Sequence, residues 1–276
     1  MRIDAHQHFW AVARGDYGWR TPELGVLDRD FSPDDLAPML IAAGIEGTVL
    51  VQAAPTVAET EYMLSLADET PFIKGVVGWV DFEAPDAAIQ IAALDAHPAL
   101  VGLRPMIQDI ADPLWMLGDA LTPAFAELTT RGLTFDALTL PQHLGPLKKL
   151  LAHHPDMKVV IDHGSKPLIR DAILEGWAAD TAALASDTNA WCKLSGLVTE
   201  AAPDWSVDDL RPYVDHLLNT FGPSRLIWGS DWPVCTLASS YERWLETTGV
   251  LLSQLSSSER DAVMGGNAAR AYNLRD

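Results

Sequence analysis

Met1-Arg2-Ile3-Asp4-Ala5-His6-Gln7-His8-Phe9-Trp10 opens the chain. A short strand-like segment runs straight into two histidines. Residues i and i+2 of a strand point to the same face, so His6 and His8 converge on one small volume. There they can grip a metal, a carbonyl oxygen or a water together. The competing reading of an isolated His-x-His is one satisfied core histidine beside an exposed one. The weight of the rest of the chain decides between them.

Residues 11–32 form a long loop interrupted by Gly15, Gly18, Pro22 and Gly25 and carrying Tyr17, Trp19 and Arg20. A loop of this length is either a functional wall or a surface flap. Ser32-Pro33-Asp34-Asp35 then starts a helix that closes at Gly44, with an N-cap serine, a proline at the first position and acids in the first turn. Thr48-Val49-Leu50-Val51-Gln52 is an apolar strand, and Thr56-Val57-Ala58-Glu59 has capping-box spacing ahead of a helix to about Glu69. The unit repeats. Strands are expected over 72–81, 100–105, 133–137, 158–163, 190–195 and 226–231. Helical stretches lie between them, the longest over 167–187 and 239–275.

Eight strands alternating with helices, each strand apolar on both faces, describe a parallel sheet covered by helices. In a chain of 276 residues that is the arithmetic of an α/β fold of the (β/α)8 TIM-barrel type, a single domain over 1–276. An open doubly wound sheet is the alternative, but no GxGxxG follows the first strand. Hydrophobic content of 48% excludes a largely disordered chain. A formal charge of −19 argues against nucleic acid and anionic membranes as partners. Asp4, His6 and His8 stand where a signal peptide would be apolar, and no apolar run is long enough to span a bilayer. Cys192 and Cys235 are far apart, which suits a reducing, cytoplasmic setting. They read as small buried hydrophobes.

The distinctive polar residues fall at the C-terminal ends of the strands: His6 and His8, Gln52, Arg104, Asp136, His163, Ser195 and Asp231. In a barrel these ends share one mouth, where active sites are built. Singly, each has a structural reading: His163 as a bonded core histidine, Asp231 as a loop cap, Asp136 and Ser195 as internal hydrogen-bond partners. Three histidines and an aspartate at one mouth are costly as core filler. Arg104 suits a carboxylate or hydroxyl partner. Lys193 shares the facing of Ser195, with a functional role left open. Trp10 and Trp232 lie just beyond strand ends, where they either wall a pocket or pack. His97, His143, His153, His154 and His216 are expected at solvated helix positions.

The segments MRIDAHQHFW, VGLRPM, DPLWML, FDAL, IDHGSKP, WCKLSGLVTEA, FGPSRLIWGSDWPVC and GGNAARAY together resemble the amidohydrolase superfamily (amidohydrolase-related family 2). Within it, they resemble the sugar-lactonase branch of L-fuconolactonases and L-rhamnonolactonases. The resemblance implies a hydrolase of carboxylic ester bonds. Asp231 would activate water and His6, His8 and His163 would polarise a lactone carbonyl, directly or through a metal. It implies substrate contacts from Trp10, Gln52, Arg104, Asp136, Ser195 and Trp232. The mouth lacks the bridging lysine or glutamate of binuclear relatives, so one divalent ion at most is expected, with His6, His8 and Asp231 as ligands to Zn²⁺. A neutral polyhydroxylated lactone is expected as substrate, because arginines are few at the mouth; only Arg14 and Arg20 stand beside Arg104. A lactone isomerase or decarboxylase of the same superfamily is the alternative, and a monomer or homodimer is expected.

Overall fold

A computed structural model describes residues 1–274. Eight parallel strands pair in chain order as one sheet: β1 (Ile3–Gln7), β2 (Gly47–Val51), β3 (Ile73–Gly78), β4 (Leu100–Leu103), β5 (Thr134–Ala137), β6 (Val159–Ile161), β7 (Trp191–Leu194) and β8 (Leu226–Trp228). The segment after β8 returns to β1 and brings the ring round to a barrel. Asp231 N donates to His6 O at 2.7 Å, His8 N to Trp232 O at 2.7 Å, and Gln7 bridges Trp232 in parallel. The TIM-barrel expectation therefore holds.

The apolar residues divide between two layers because side chains alternate along a strand. Ile3, Ala5, Val49, Val51, Val77, Val160 and Ile227 pack in one buried cluster with Ala268 and Ala271 of the last helix and Tyr272 just after it. Leu50, Val76, Leu103, Phe135, Ile161, Leu194 and Trp228 belong to the other, with the surrounding helices. β1 breaks the alternation. Ala5 belongs to the Ile3 cluster, yet His6, its neighbour, contacts Lys193 of β7 and Arg104 and Asp162, the residues just after β4 and β6. The pairing register of β1 on β2 shifts between Asp4 and Gln7, and this bulge lets two successive residues serve the interior.

Asp4 fastens the seam. Fully buried, its Oδ1 accepts from Ser230 N at 2.8 Å and from His6 N at 3.3 Å, and its Oδ2 accepts from the Tyr241 hydroxyl at 3.2 Å.

Several elements differ from the sequence reading. The helix expected over 167–187 begins only at Trp177. Before it, Lys166, Ala172 and Gly176 have positive φ, which interrupts a right-handed helix. The C-terminal helical stretch divides into Tyr241–Leu251, Ser257–Asp261 and Asn267–Ala271, with a π turn at Ala262–Gly266. The loop over 11–32 contains two short 3-10 turns, Val12–Arg14 and Pro22–Leu27. Its ends are tied by reciprocal Trp10 and Phe31 backbone bonds of 3.0 and 2.9 Å. His143 is fully buried rather than solvated, because its Nδ1 accepts from Leu140 N at 3.0 Å. Cys192 and Cys235 are buried and unpaired. Among the described residues, no helix is long and apolar enough to cross a membrane.

The capping box at Thr56 is only half formed. Thr56 Oγ1 accepts from Glu59 N at 3.0 Å. The Glu59 carboxylate turns instead to the loop after β2 and accepts from Ala53 N at 3.0 Å and Ala54 N at 2.7 Å. Burial pushes this carboxyl up from 4.5 to about 7, against the pull of the Ala54 and Ala53 N–H groups. Folding therefore takes up a proton between these values. The contribution is complete below pH 4.5 and is lost as pH rises through about 7. In urea unfolding, wild-type stability relative to Glu59→Gln should fall by about 3 kcal/mol between pH 4 and 8. A pH-independent difference would contradict this account.

Candidate active site

His6, His8, His163 and Asp231 meet at the C-terminal mouth of the barrel. Asp231 Oδ1 stands 3.6 Å from His6 Nε2, 3.4 Å from His8 Nε2 and 3.9 Å from His163 Nε2. All four residues are buried, with His6 the deepest. Two glycines make this proximity possible. A Cβ on Gly196 would lie 2.5 Å from His163 Nδ1, and one on Gly229 would lie 2.6 Å from His6 Cβ.

His163 sits in a left-handed turn. φ is +55° at His163, +58° at Gly164, +62° at Ser165 and +50° at Lys166. Each non-glycine residue there costs about 1–2 kcal/mol, so neighbours must hold the turn. Trp177 Nε1 donates to Gly164 O at 2.7 Å, Lys166 N to His163 O at 2.9 Å, and the Ser165 and Thr139 hydroxyls meet at 2.8 Å. Ser195 Oγ lies 2.9 Å from His163 Nδ1 and orients the ring. Asp231 also has positive φ, +58°, as befits backbone held in shape at a functional site.

Beneath the histidines lies a buried ion cluster. Lys193 Nζ is 2.6 Å from Asp136 Oδ2, 2.9 Å from Asp162 Oδ1 and 3.2 Å from His6 Nδ1. The Tyr272 hydroxyl donates to Asp136 at 2.8 Å. Arg104 NH1 reaches Asp162 Oδ2 at 3.1 Å and His6 Nε2 at 3.2 Å, while its NH2 donates to Gln52 O. Burial would raise the Asp162 carboxyl, but Lys193, His6 and Arg104 overcome it and hold it well below the usual range. Burial pushes Asp136 up to about 6, against the pull of Lys193. Burial, aided by Lys193, drives His6 well below its ordinary value, and burial lowers His163 to about 4. Asp231 is raised by burial, yet His163, His8 and His6 outweigh it and keep it ionised.

A cavity of about 260 Å³ opens above this cluster. It is smaller than the roughly 300–1,000 Å³ typical of drug-sized sites. His8, Arg104, His163, Asp231, Trp10 and Trp19 line it. Several sequence-predicted contacts stand behind its wall. Gln52 Nε2 donates to Arg104 O at 2.7 Å, so Gln52 braces the arginine. Asp136 anchors Lys193, and Ser195 orients His163. Trp232 packs edge-on against Phe9 and Phe31, with ring centroids 6.0 and 5.3 Å away. Gln108, Asp109, Lys166 and Thr199 line the cavity instead. Among the described residues, Gln108 Oε1 is buried without a hydrogen-bond partner. Gln108 and Asp109 lie in a 3-10 turn, Ile107–Asp109, Thr199 in a one-turn helix, Leu197–Glu200, and Lys166 just past the turn that carries His163, all beyond the strand ends that the sequence pattern marks.

His8 Nδ1 donates to Val51 O at 2.7 Å, which leaves an Nε2 lone pair facing the Asp231 carboxylate. Two electron pairs facing each other call for a proton or a cation between them. His6, His163 and Asp231 each offer a ligand atom within 4.8 Å of the others. Imidazole nitrogens with a carboxylate oxygen suit Zn²⁺, so the residues fit one ion. The triad includes His163 where the sequence reading paired His6 and Asp231 with His8.

A family model described as amidohydrolase matches residues 3–274. The chain belongs to the amidohydrolase family. Among curated amidohydrolase relatives it is 43% identical to an L-fucono-1,5-lactonase of Burkholderia ambifaria, covering 99% of this chain and 96% of that one. It is 40% identical, with the same coverage, to an L-fucono-1,5-lactonase of Burkholderia multivorans. A crystal structure of an amidohydrolase from Burkholderia multivorans with bound zinc superposes with a TM-score of 0.94 at 38% identity, covering 100% of both chains.

The tight glycine yields a test. Gly196→Ala adds a clash with His163 to the cost of positive φ, whereas Gly132 has φ +69° and open space around its missing Cβ. Gly132→Ala should lose only about 1 kcal/mol. Gly196→Ala should lose clearly more in denaturant unfolding and shift the His163 ring resonances. Equal losses would show that Gly196 serves the backbone alone.

Proposed function

We propose that this amidohydrolase hydrolyses the lactone of a sugar acid, of the L-fucono-1,5-lactone type, to the free acid. The observation that carries the reading is one ionised carboxylate, Asp231, ringed by three imidazoles at the floor of a small cavity. The similarity to L-fucono-1,5-lactonases over nearly the whole chain supports the substrate class.

Asp231 is the general base. Its carboxylate takes a proton from water as the water attacks the lactone carbonyl, and returns it to the ring oxygen as the C–O bond breaks. Negative charge develops on the carbonyl oxygen and needs donors already in place. With the Ser195 hydroxyl donated to His163 Nδ1, the proton of His163 sits on Nε2, on the cavity side. Arg104 also lines the cavity and carries a permanent positive charge. His8, fixed by Val51 O, and His6, set in the ion cluster, hold Asp231 in register. A divalent ion held by His6, His163 and Asp231 would require the other His163 tautomer, with Nδ1 donating to Ser195 Oγ, and would supply Lewis-acid polarisation of the carbonyl in place of the Nε2 proton.

The walls suit a polyhydroxylated ring. Gln108 offers an unpartnered carbonyl oxygen, and Asp109, Lys166 and Thr199 offer further partners for hydroxyls. Trp10 and Trp19 present apolar faces to ring carbons.

Asp231→Asn should remain folded and lose about 10²–10⁴-fold in kcat/KM on an aldonolactone, read with a pH indicator. Near wild-type turnover would remove Asp231 from the role. Gln108→Leu should raise KM for the hydroxylated lactone more than it lowers kcat. An unchanged KM would remove Gln108 from substrate contact.

A further inference from the structure

Arg104 bears on His6 in a way that reaches beyond the hydrolytic reading and does not depend on which lactone is used. His6 has two ring nitrogens and each faces charged groups. Nδ1 lies 3.4 Å from Asp162 Oδ1 and 3.2 Å from Lys193 Nζ. Nε2 lies 3.2 Å from Arg104 NH1. A guanidinium only donates and does not lose its proton in proteins. A proton on His6 Nε2 would set donor against donor. Lys193 poses the same conflict at Nδ1, but its ammonium stands closer to the Asp136 and Asp162 carboxylates, at 2.6 and 2.9 Å, and Asp162 Oδ1 stands 3.4 Å from Nδ1. The favoured tautomer therefore carries its proton on Nδ1, facing Asp162, and leaves the Nε2 lone pair to accept from Arg104. That lone pair is the same one His6 would offer to a metal ion.

We propose that Arg104 is a built-in cation that competes with a divalent metal for His6 Nε2, so that metal binds through His6 only when the guanidinium is displaced. The arginine is well anchored for this. NH1 also donates to Asp162 Oδ2 at 3.1 Å, NH2 donates to Gln52 O, and Gln52 Nε2 returns a bond to Arg104 O at 2.7 Å. Arg104 Nε has no partner among the described residues, and the head group is held through its two terminal nitrogens. Displacing it breaks its bonds to Asp162 and to Gln52 O and sets a second cation beside the ion.

The test measures Zn²⁺ affinity by competition with a chromophoric chelator in wild type, Arg104→Met and Lys166→Met, with folding followed by circular dichroism. Lys166 lines the same cavity but pairs loosely with Glu200, at 3.8 Å, rather than with His6. It therefore controls for simple loss of positive charge. Arg104→Met should tighten zinc by about tenfold or more, and Lys166→Met by less than about threefold. Unchanged or weakened binding in Arg104→Met, or equal tightening in both variants, would overturn the proposal. If Arg104→Met does not fold, zinc-soaked crystals of the wild type decide. Withdrawal of Arg104 NH1 from His6 Nε2 in the loaded site supports the competition. Zinc on His6 with Arg104 still in hydrogen-bond contact refutes it.

Discussion

The hydrogen bond from Asp231 N to His6 O, 2.7 Å long, joins the segment just after the last strand of the barrel to the first strand. It is the constraint on which the site depends. Two residues more than two hundred positions apart become neighbours because the sheet closes, and the chemistry sits on that closure. Asp4 secures the same seam from outside through Ser230 N and the Tyr241 hydroxyl. Gly229 allows the backbone of the eighth strand to approach His6 closely enough. Loosening any of these would move the carboxylate relative to the imidazoles before any contact with substrate was lost.

Below the seam, carboxylates outnumber cations. Lys193 and Arg104 pair with Asp136 and Asp162 in the barrel interior, and Asp231 stands against the histidines instead. Breaking a buried pair typically costs about 3–5 kcal/mol, so each member of this cluster constrains the next. The surplus is one negative charge, and it falls on Asp231, the carboxylate at the floor of the cavity. A site that keeps its base ionised beside His6 and His163, both held below their ordinary range by burial, is suited to taking a proton from water near neutral pH.

Much of this was legible in the sequence. Alternating strand and helix signals led to the barrel, and polar residues at strand ends led to His6, His8, His163, Asp231 and Arg104. What was not legible is tertiary. The bulge in β1 depends on pairing with β2, so strict alternation could not reveal that Ala5 and His6 share the interior. Asp162 and Lys193 each interrupt an apolar strand, a signal that opposite charges must pair inside, but their partner is visible only across the barrel. Glu59 has capping-box spacing yet serves the β2 loop, because a buried loop with free N–H groups competes for its carboxylate. Gln52, Asp136 and Ser195 occupy strand ends as expected but are consumed by Arg104, Lys193 and His163. Short turns beyond the strand ends, which carry no periodicity, supply Gln108 and Lys166 to the cavity wall.

Hydrolysis of an aldonolactone in ¹⁸O-labelled water, followed by mass spectrometry and carbon NMR of the product, tests the central claim most directly. Attack by water at the lactone carbonyl predicts one ¹⁸O in the new carboxylate and none in the released hydroxyl. Label in the hydroxyl, an unlabelled isomeric lactone, or release of carbon dioxide would contradict it.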